Sequence, residues 1–179
     1  MQEEFAGLSI ELQIADIAAQ DDCDAVVNAA NAELRPGGGV AGAIHDGAGP
    51  ELEQACRPLA PIEPGEAVIT DAFQLPNRYV IHCLGPVFGV DEPSDELLAD
   101  CYRNSLRLAE EHQLSSIAFP AISTGAFCFP MVQAARIALE TLVKEAGSLQ
   151  HVKLARFVLP NDRALQAHER VMAELVEET

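Results

Sequence analysis

The order of apolar and polar positions divides the chain into predicted strands and helices. Stretches rich in β-branched residues predict six strands, at residues 8–14, 25–28, 67–71, 79–84, 116–120 and 154–159. Apolar residues at helical spacing predict four helices, at 40–55, 95–112, 130–146 and 163–177. Strands that alternate with helices predict an α/β fold, a three-layer α-β-α sandwich around a mixed, mostly parallel sheet of six to seven strands.

The pattern within each strand predicts how much of it is covered. Residues 79–84 and 118–122 are almost continuously apolar, as expected when helices cover both faces of a strand. Residues 10–14 alternate between apolar and polar instead, which predicts a half-exposed strand at an edge of the sheet. In sheets of this kind ligands bind beyond the carboxyl ends of the strands, so a site is expected in the loops that follow them.

Length and charge narrow the possible partners. The 179 residues are expected to form one domain over residues 1–179. With 11 Lys and Arg against 28 Asp and Glu, the net charge of -17 disfavours nucleic acid or an anionic membrane as a partner. So few cations also mean that a phosphate site should use backbone N–H groups and a helix N-terminus.

The cysteines and the first residues indicate the compartment. The five cysteines are widely spaced, odd in number and without a C-x-x-C pair, so we expect reduced thiols and neither a disulfide framework nor a metal site. The first four residues include glutamates at positions 3 and 4, where a secretion signal would be basic. No apolar run reaches the 18 or so residues of a membrane span. We therefore expect a cytoplasmic protein, and a monomer.

Three consecutive glycines, Gly37 to Gly39, follow the second predicted strand and precede a helix. Glycine permits positive φ and brings bare N–H groups close to a ligand, and the positive end of the helix suits a pyrophosphate. For such a loop by itself, a flexible turn is the alternative. Its spacing matches neither the nucleoside triphosphatase motif nor the dinucleotide fingerprint, which disfavours both of those classes.

A second loop, residues 122–127, consists of small residues directly after an apolar strand, with Phe127 alongside. It too offers backbone N–H groups. If the two loops face each other, they would hold a diphosphate from both sides.

Four segments resemble, in the right order, the signatures of the macrodomain family. They are residues 26–31 with Asn28-Ala29-Ala30-Asn31, residues 37–45 with the three glycines, and residues 79–82 and 119–125. The resemblance runs from about residue 12 to about residue 161. It implies the macrodomain fold and, without any cofactor, binding of ADP-ribose, O-acetyl-ADP-ribose or mono-ADP-ribosylated proteins.

The resemblance also implies roles for individual residues. Asp16 would accept a hydrogen bond from the adenine amino group, with the Ile17 N–H assisting; an ordinary helix N-cap is the alternative for Asp16. Asn31 would bind the hydroxyls of the distal ribose, while Asn28 would brace the loop from within. Pro160 would wall off the adenine, at a place where family members often carry an aromatic residue that is absent here.

The two loops would enclose the rest of the ligand. Gly38, Gly39 and Val40 would line the distal ribose and the pyrophosphate. The facing phosphate loop would consist of Ser123, Thr124, Gly125, Ala126 and Phe127. By the same resemblance, Phe127 would pack against the distal ribose.

Position 41 bears on whether such a protein is a hydrolase but does not decide it. The glycine loop is nearest to the MacroD-like, O-acetyl-ADP-ribose deacetylase branch, but that branch carries an aspartate where this chain has Ala41. Loss of a positioned base commonly costs about 10²- to 10⁴-fold in rate. The G-G-G-V-A-G form also resembles hydrolytic viral macrodomains, in which the phosphate of the substrate and the loop backbone hold the water.

The hypothesis is thus an ADP-ribosyl hydrolase or O-acetyl-ADP-ribose deacetylase. Asn31 would orient the ribose, Gly39 and the Ala126-Phe127 turn would position water, and a ligand phosphate oxygen would act as the base. A non-catalytic reader of ADP-ribose is the alternative.

A third class is an unrelated hydrolase that uses Ser123, or Cys83 with His45. No G-x-S-x-G sequence accompanies the serine, and Cys83 lies in an apolar strand, so core packing is the preferred interpretation. For His45 we expect a structural role near the start of its helix.

Overall fold

A seven-stranded sheet lies between two layers of helices in the computed structural model, which describes all 179 residues. The strands are β1 Gln2–Phe5, β2 Leu8–Ile14, β3 Ala25–Ala29, β4 Ala67–Asp71, β5 Tyr79–Cys83, β6 Ser116–Phe119 and β7 Leu154–Leu159. The helices are α1 Gly39–Ala48, α2 Pro50–Cys56, α3 Ser94–Glu111, α4 Met131–Ala146 and α5 Asp162–Glu178. Two short 3₁₀ helices, Ile17–Ala19 and Arg57–Leu59, complete the fold.

The sheet is mixed and mostly parallel, which confirms the predicted fold class. Its strand order is β1-β2-β7-β6-β3-β5-β4. The five central strands run parallel, and only β1 and β4 are antiparallel to their neighbours. Because the carboxyl ends of the parallel strands share one edge, the loops after β2, β7, β6, β3 and β5 meet there in that order.

The prediction that residues 10–14 form an edge strand is wrong. β2 pairs in parallel with β7 on one side and antiparallel with β1 on the other, so β1 is the edge. β1 escaped prediction because three of its four residues are polar and only Phe5 is buried. A two-residue turn with positive φ at Ala6 and Gly7 brings it back against β2.

The predicted helix over residues 40–55 is in fact two helices. Gly49 has φ 87° and ψ 178°, which ends α1, and Pro50 then begins α2. A proline at the first position of a helix leaves no N–H unsatisfied, whereas inside a helix it would remove a hydrogen bond. The other three helices agree with their predicted bounds to within one residue at each end.

Two apolar cores pack on opposite faces of the sheet. The larger core lies between the sheet and α3, α4 and α5, and includes Val27 and Cys83. The smaller core lies under α1 and α2, and includes Val26 and Val80. Neighbouring residues of β3 therefore point into different cores, as strand geometry requires.

The cysteines are all free thiols, and four of the five are buried. Only Cys128 is exposed, in the loop that follows β6. None of the helices has the length and apolar character needed to cross a membrane.

Candidate ligand-binding cleft

A cleft of about 700 Å³ lies beyond the carboxyl ends of the parallel strands. All of the residues predicted to bind a ligand line it. They are Asp16, Ile17, Asn31, Gly38, Gly39, Val40, Ser123, Thr124, Gly125, Ala126, Phe127 and Pro160. The structure thus brings the predicted site residues together at one place, and their individual roles stay predictions.

One side of the cleft is the start of α1. Gly38 is the N-cap residue and Gly39 has φ 57°. The N–H groups of Gly39, Val40 and Ala41 have no acceptor within the protein. Since the first turn of α1 contains no acidic residue, three unpaired donors and the positive end of the helix dipole lie together on this side.

The glycines of this loop serve two different purposes. A Cβ on Gly42 would stand 2.5 Å from the Gly37 carbonyl oxygen, so Gly42 lets the helix start pack against the loop. A Cβ on Gly38 or Gly39 would meet nothing within 4 Å, because these two residues border the open cleft. Sequence reasoning missed the role of Gly42.

The other side of the cleft is the loop from Ser123 to Cys128. Its ends are closed by the Phe129 N–H, which donates to the Ser123 carbonyl oxygen at 2.9 Å, and the Cys128 N–H, which donates to the Gly125 carbonyl oxygen at 3.0 Å. The N–H groups of Gly125, Ala126 and Phe127 have no acceptor within the protein. The cleft therefore lies between two rows of three unpaired N–H donors each.

Gly85, which follows β5, was not predicted and supports this second loop. A Cβ on Gly85 would stand 2.1 Å from Ser123 Oγ and 2.7 Å from Ile122 Cγ2. The Ser123 hydroxyl is itself buried and has no hydrogen-bond partner. Only the pair Gly85-Pro86 hinted at a turn here, and the need for glycine comes from a neighbour distant in sequence.

Asp16 marks the end of the cleft next to β2. Its Oδ1 accepts a hydrogen bond from the Ala18 N–H at 2.9 Å, so it does cap the 3₁₀ helix, as the alternative interpretation proposed. Its second carboxylate oxygen makes no hydrogen bond, and neither does the Ile17 N–H. Both groups are thus available to a ligand.

Asn31, and not Asn28, is the asparagine that braces the glycine loop. The expectation that Asn28 braces the loop is wrong, because Asn28 lies inside β3, where its Nδ2 lies 3.1 Å from His82 Nδ1. Asn31 itself braces the loop: Nδ2 donates to the Arg35 carbonyl oxygen at 2.8 Å, and Oδ1 accepts from the Arg35 N–H at 2.9 Å. An amide offers two hydrogens and two lone pairs, so one of each is left for a ligand.

A buried polar cluster lies near the smaller core. His82 Nε2 lies 3.0 Å from Thr70 Oγ1, whose own proton goes to the Asp71 carbonyl oxygen. Nε2 therefore carries the proton, and Nδ1 accepts from Asn28. Burial, with a smaller effect from His45, lowers the pKa of His82 to about 3.

His45 is buried and makes no hydrogen bond to a group that could act with it in catalysis. Both of its ring nitrogens are buried without a hydrogen-bond partner, and burial lowers its pKa. Cys83 belongs to the core on the opposite face of the sheet, so the structure does not pair it with His45. Ser123 likewise has no base in hydrogen-bond contact, so neither nucleophile of an unrelated hydrolase is assembled.

Asp16 is the one charged side chain among the residues that line the cleft. No lysine, arginine or histidine lines it. The cleft therefore offers an anion no cation, only main-chain N–H groups and a few neutral polar side chains, which agrees with the expectation drawn from the shortage of cations.

Comparison with known proteins identifies the family. The family model of the Macro domain matches residues 27–138. This chain belongs to the macro domain family. It is 48% identical to a macro domain-containing protein of Chlorobaculum tepidum over 84% of this chain and 88% of that protein. It is 51% identical to a macro domain-containing protein of Ralstonia nicotianae over 75% of this chain and 80% of that one.

Solved macrodomains share the whole architecture. The Oceanobacillus iheyensis macrodomain with ADP is 38% identical and superposes with a TM-score of 0.96, covering 100% of this chain and 97% of the other. The Trypanosoma brucei macrodomain in complex with ADP-ribose is 36% identical and superposes with a TM-score of 0.84, covering 91% of this chain and 68% of the other. The present macrodomain therefore has the family fold over its full length.

Proposed function

We propose that this macrodomain binds ADP-ribose in the cleft and hydrolyses the esters of mono-ADP-ribosylated proteins, O-acetyl-ADP-ribose or both. The observation that carries the proposal is the pair of facing donor rows, residues 39–41 and residues 125–127. Two linked phosphates need hydrogen-bond donors on both sides. Unpaired N–H groups, among them those at a helix N-terminus, supply such donors without any cation. The solved relatives with ADP and ADP-ribose support this choice of ligand.

The strand order supports one direction for the ligand. Asp16 follows β2 and Asn31 follows β3, and three strand spacings separate these strands. At about 4.8 Å per spacing, the two ends of the cleft lie about 14 Å apart. The adenine then lies beside Asp16, Ile17 and Pro160, the pyrophosphate between the donor rows, and the distal ribose beside Asn31 and Phe127.

Hydrolysis at the distal ribose requires a base, and the lining supplies none there. Asp16 lies at the adenine end, and Ala41 occupies the first turn of α1 without a titratable group. In the proposed reaction Gly39 and the Ala126-Phe127 turn position a water molecule, and a phosphate oxygen of the ligand takes its proton. The water oxygen bonds to the carbonyl carbon of the ester, and the bond between that carbon and the ribose oxygen breaks. The phosphate returns the proton to the ribose oxygen, so the products are a carboxylic acid, which ionises, and a free ribose hydroxyl.

A second function, that of a reader, is favoured by the same absence of a titratable group. A reader binds ADP-ribose or ADP-ribosylated proteins without turnover. The cleft would then use its donor rows for affinity alone.

Calorimetric titration with ADP-ribose, ADP and AMP tests the binding proposal. We expect the order ADP-ribose, ADP, AMP from strong to weak, with Asn31→Ala removing the advantage of ADP-ribose over ADP. Equal affinity for all three ligands would contradict the assignment of the distal-ribose end.

Turnover distinguishes the hydrolase from the reader. The purified protein is incubated with a protein mono-ADP-ribosylated on glutamate and with O-acetyl-ADP-ribose, and released ADP-ribose is measured over hours. Binding without release would establish the reader. The variant Ala41→Asp serves as the comparison, because a gain in turnover would show that the wild-type site lacks only its base.

A further inference from the structure

The loop between β5 and α3, residues 84–93, carries the most exposed large apolar side chain of the protein. Val90 is 72% exposed, and Phe88 in the same loop is 39% exposed. Single exposed apolar residues are ordinary. Phe88 and Val90 differ from such single residues in three ways: they share one loop, hydrogen bonds fix the shape of that loop, and the loop adjoins the cleft.

Hydrogen bonds hold this loop in one shape. The Val87 N–H donates to Asp91 Oδ2 at 2.8 Å, and the Val90 N–H donates back to the Val87 carbonyl oxygen at 3.0 Å. The Ser94 hydroxyl, at the start of α3, donates to the Asp91 carbonyl oxygen. The exposed side chains are thus presented on a preorganised loop, which lowers the entropy cost of binding a partner.

The loop adjoins the cleft at the end farthest from Asp16. The Phe88 N–H donates to the Phe127 carbonyl oxygen at 2.9 Å, and the Phe88 ring lies 4.9 Å from that of Phe129. β5 is the fourth strand along from β2, one strand beyond β3. With the ligand oriented as proposed, a group attached to the distal ribose leaves the cleft toward this loop.

The surroundings of the two apolar side chains are acidic. Glu92, Asp95 and Glu96 are exposed at the end of the loop and the start of α3. No lysine or arginine occurs between Arg78 and Arg103. A basic partner matches this charge, whereas nucleic acid and anionic membranes are repelled by it.

We propose that Phe88 and Val90, with Glu92 and Glu96 beside them, form a docking surface for the polypeptide that flanks the ADP-ribosylated residue of a target protein. The proposal rests on the proposed function. The favoured segment carries apolar side chains that cover Phe88 and Val90, and lysine or arginine that pairs with the glutamates. The surface selects among modified proteins, while the cleft recognises the ADP-ribose common to all of them.

Binding of modified peptides tests the docking surface. Three peptides carry ADP-ribose through a non-hydrolysable linkage and are flanked by Leu and Arg, by Ser and Gly, or by Glu. We expect the Leu-Arg peptide to bind about tenfold tighter than free ADP-ribose, as burial of one or two apolar side chains predicts. The Ser-Gly peptide should match free ADP-ribose, and the Glu peptide should bind more weakly at low salt.

Variants of the protein test whether Phe88 and Val90 cause the tighter binding of the Leu-Arg peptide. Val90→Ser should reduce the advantage of the Leu-Arg peptide while the Kd for free ADP-ribose stays unchanged. Adding Phe88→Ser should reduce that advantage further. Val176→Ser removes a similarly apolar side chain, 42% exposed on α5, and should leave every affinity unchanged.

The outcomes separate the two proposals. If ADP-ribose binds but all three peptides bind equally, or if Val90→Ser leaves the Leu-Arg advantage intact, the docking surface is overturned and the proposed function stands. If ADP-ribose itself does not bind, both are overturned.

Discussion

Gly85 and Ser123 lie so close that a single methyl group between them would displace the loop from Ser123 to Cys128. The Cβ of an alanine at position 85 would stand 2.1 Å from Ser123 Oγ, a separation that no real pair of such atoms shows. Ser123 has φ 66° and carries the loop whose N–H groups line the cleft. The glycine after β5 therefore sets the position of N–H donors in the loop that follows β6.

Gly85→Ala should weaken ADP-ribose binding by about tenfold or more, because the donor row at residues 125–127 must move. Overpacking of this kind also lowers the free energy of unfolding by about 1–3 kcal/mol. Calorimetry and urea denaturation measure the two effects. Gly147→Ala is the matched control, since a Cβ there meets nothing within 4 Å; unchanged affinity in Gly85→Ala would contradict the account.

Asp16→Asn should change which base the cleft prefers. Asp16 Oδ1 caps the Ala18 N–H, so asparagine keeps the cap and places its NH₂ where the second oxygen was. That donor would then face the amino group of adenine. ADP-ribose should bind about tenfold more weakly, while the analogue with hypoxanthine, whose carbonyl accepts a hydrogen bond, should bind more tightly than it does to the wild type.

Asp16→Ala separates this effect from folding. Loss of the cap should cost about 1 kcal/mol in the free energy of unfolding, whereas Asp16→Asn should leave stability unchanged. If the asparagine variant binds both ligands as the wild type does, Asp16 acts as a cap alone.

Cys128→Gly should stabilise the protein. Cys128 has φ 61°, a left-handed conformation that costs a residue with a Cβ about 1 kcal/mol and glycine nothing. We expect the free energy of unfolding to rise by about 0.5 kcal/mol or more in urea denaturation. Cys128→Ala keeps the strained conformation and removes the thiol, so a gain of the same size in that variant would contradict the explanation.

The buried His82 makes stability depend on pH. Its pKa is about 3 in the folded protein and near 6.5 in the unfolded chain, because burial disfavours the charged ring. Below pH 6.5 this histidine binds a proton in the unfolded state but not in the folded state. The stability that the neutral His82 contributes is therefore complete above pH 6.5 and is lost as pH falls toward 3. The free energy of unfolding should fall by about 1.4 kcal/mol per pH unit in that window from this group.

Urea denaturation at several pH values measures this slope. His82→Gln should reduce the slope, because glutamine does not titrate. An unchanged slope in His82→Gln would show that other groups cause the dependence.

Periodicity and loop placement were sufficient to predict most of the fold. β5 and β6 were predicted because their runs of apolar residues follow directly from burial of the whole strand. The helices α3 to α5 were predicted because their apolar residues recur at helical spacing. β1 was missed because its pairing with β2 depends on a partner strand and not on its own polar sequence. The break at Gly49 was missed because apolar spacing continues across it, and only the backbone of Gly49 shows the turn.

The site shows the same division between local and spatial information. The three glycines and the small-residue loop were visible because glycine before a helix has a local meaning. The roles of Asn28 and Asn31 could not be separated from the sequence, because only two residues lie between the one inside a strand and the one that braces the loop. Gly85 was invisible because its constraint is a side chain 38 positions later.

The cleft is neutral except for one aspartate, yet it belongs to a protein of net charge -17. An anionic ligand is therefore repelled at long range and held only on contact, so charge acts on the rate of arrival and main-chain hydrogen bonds act on the rate of departure. Raising ionic strength from about 0.01 M to 0.15 M shortens the Debye length from about 30 Å to about 8 Å. Salt should therefore accelerate capture of the ligand and scarcely change its residence time, the reverse of the behaviour of nucleotide sites built from lysine and arginine.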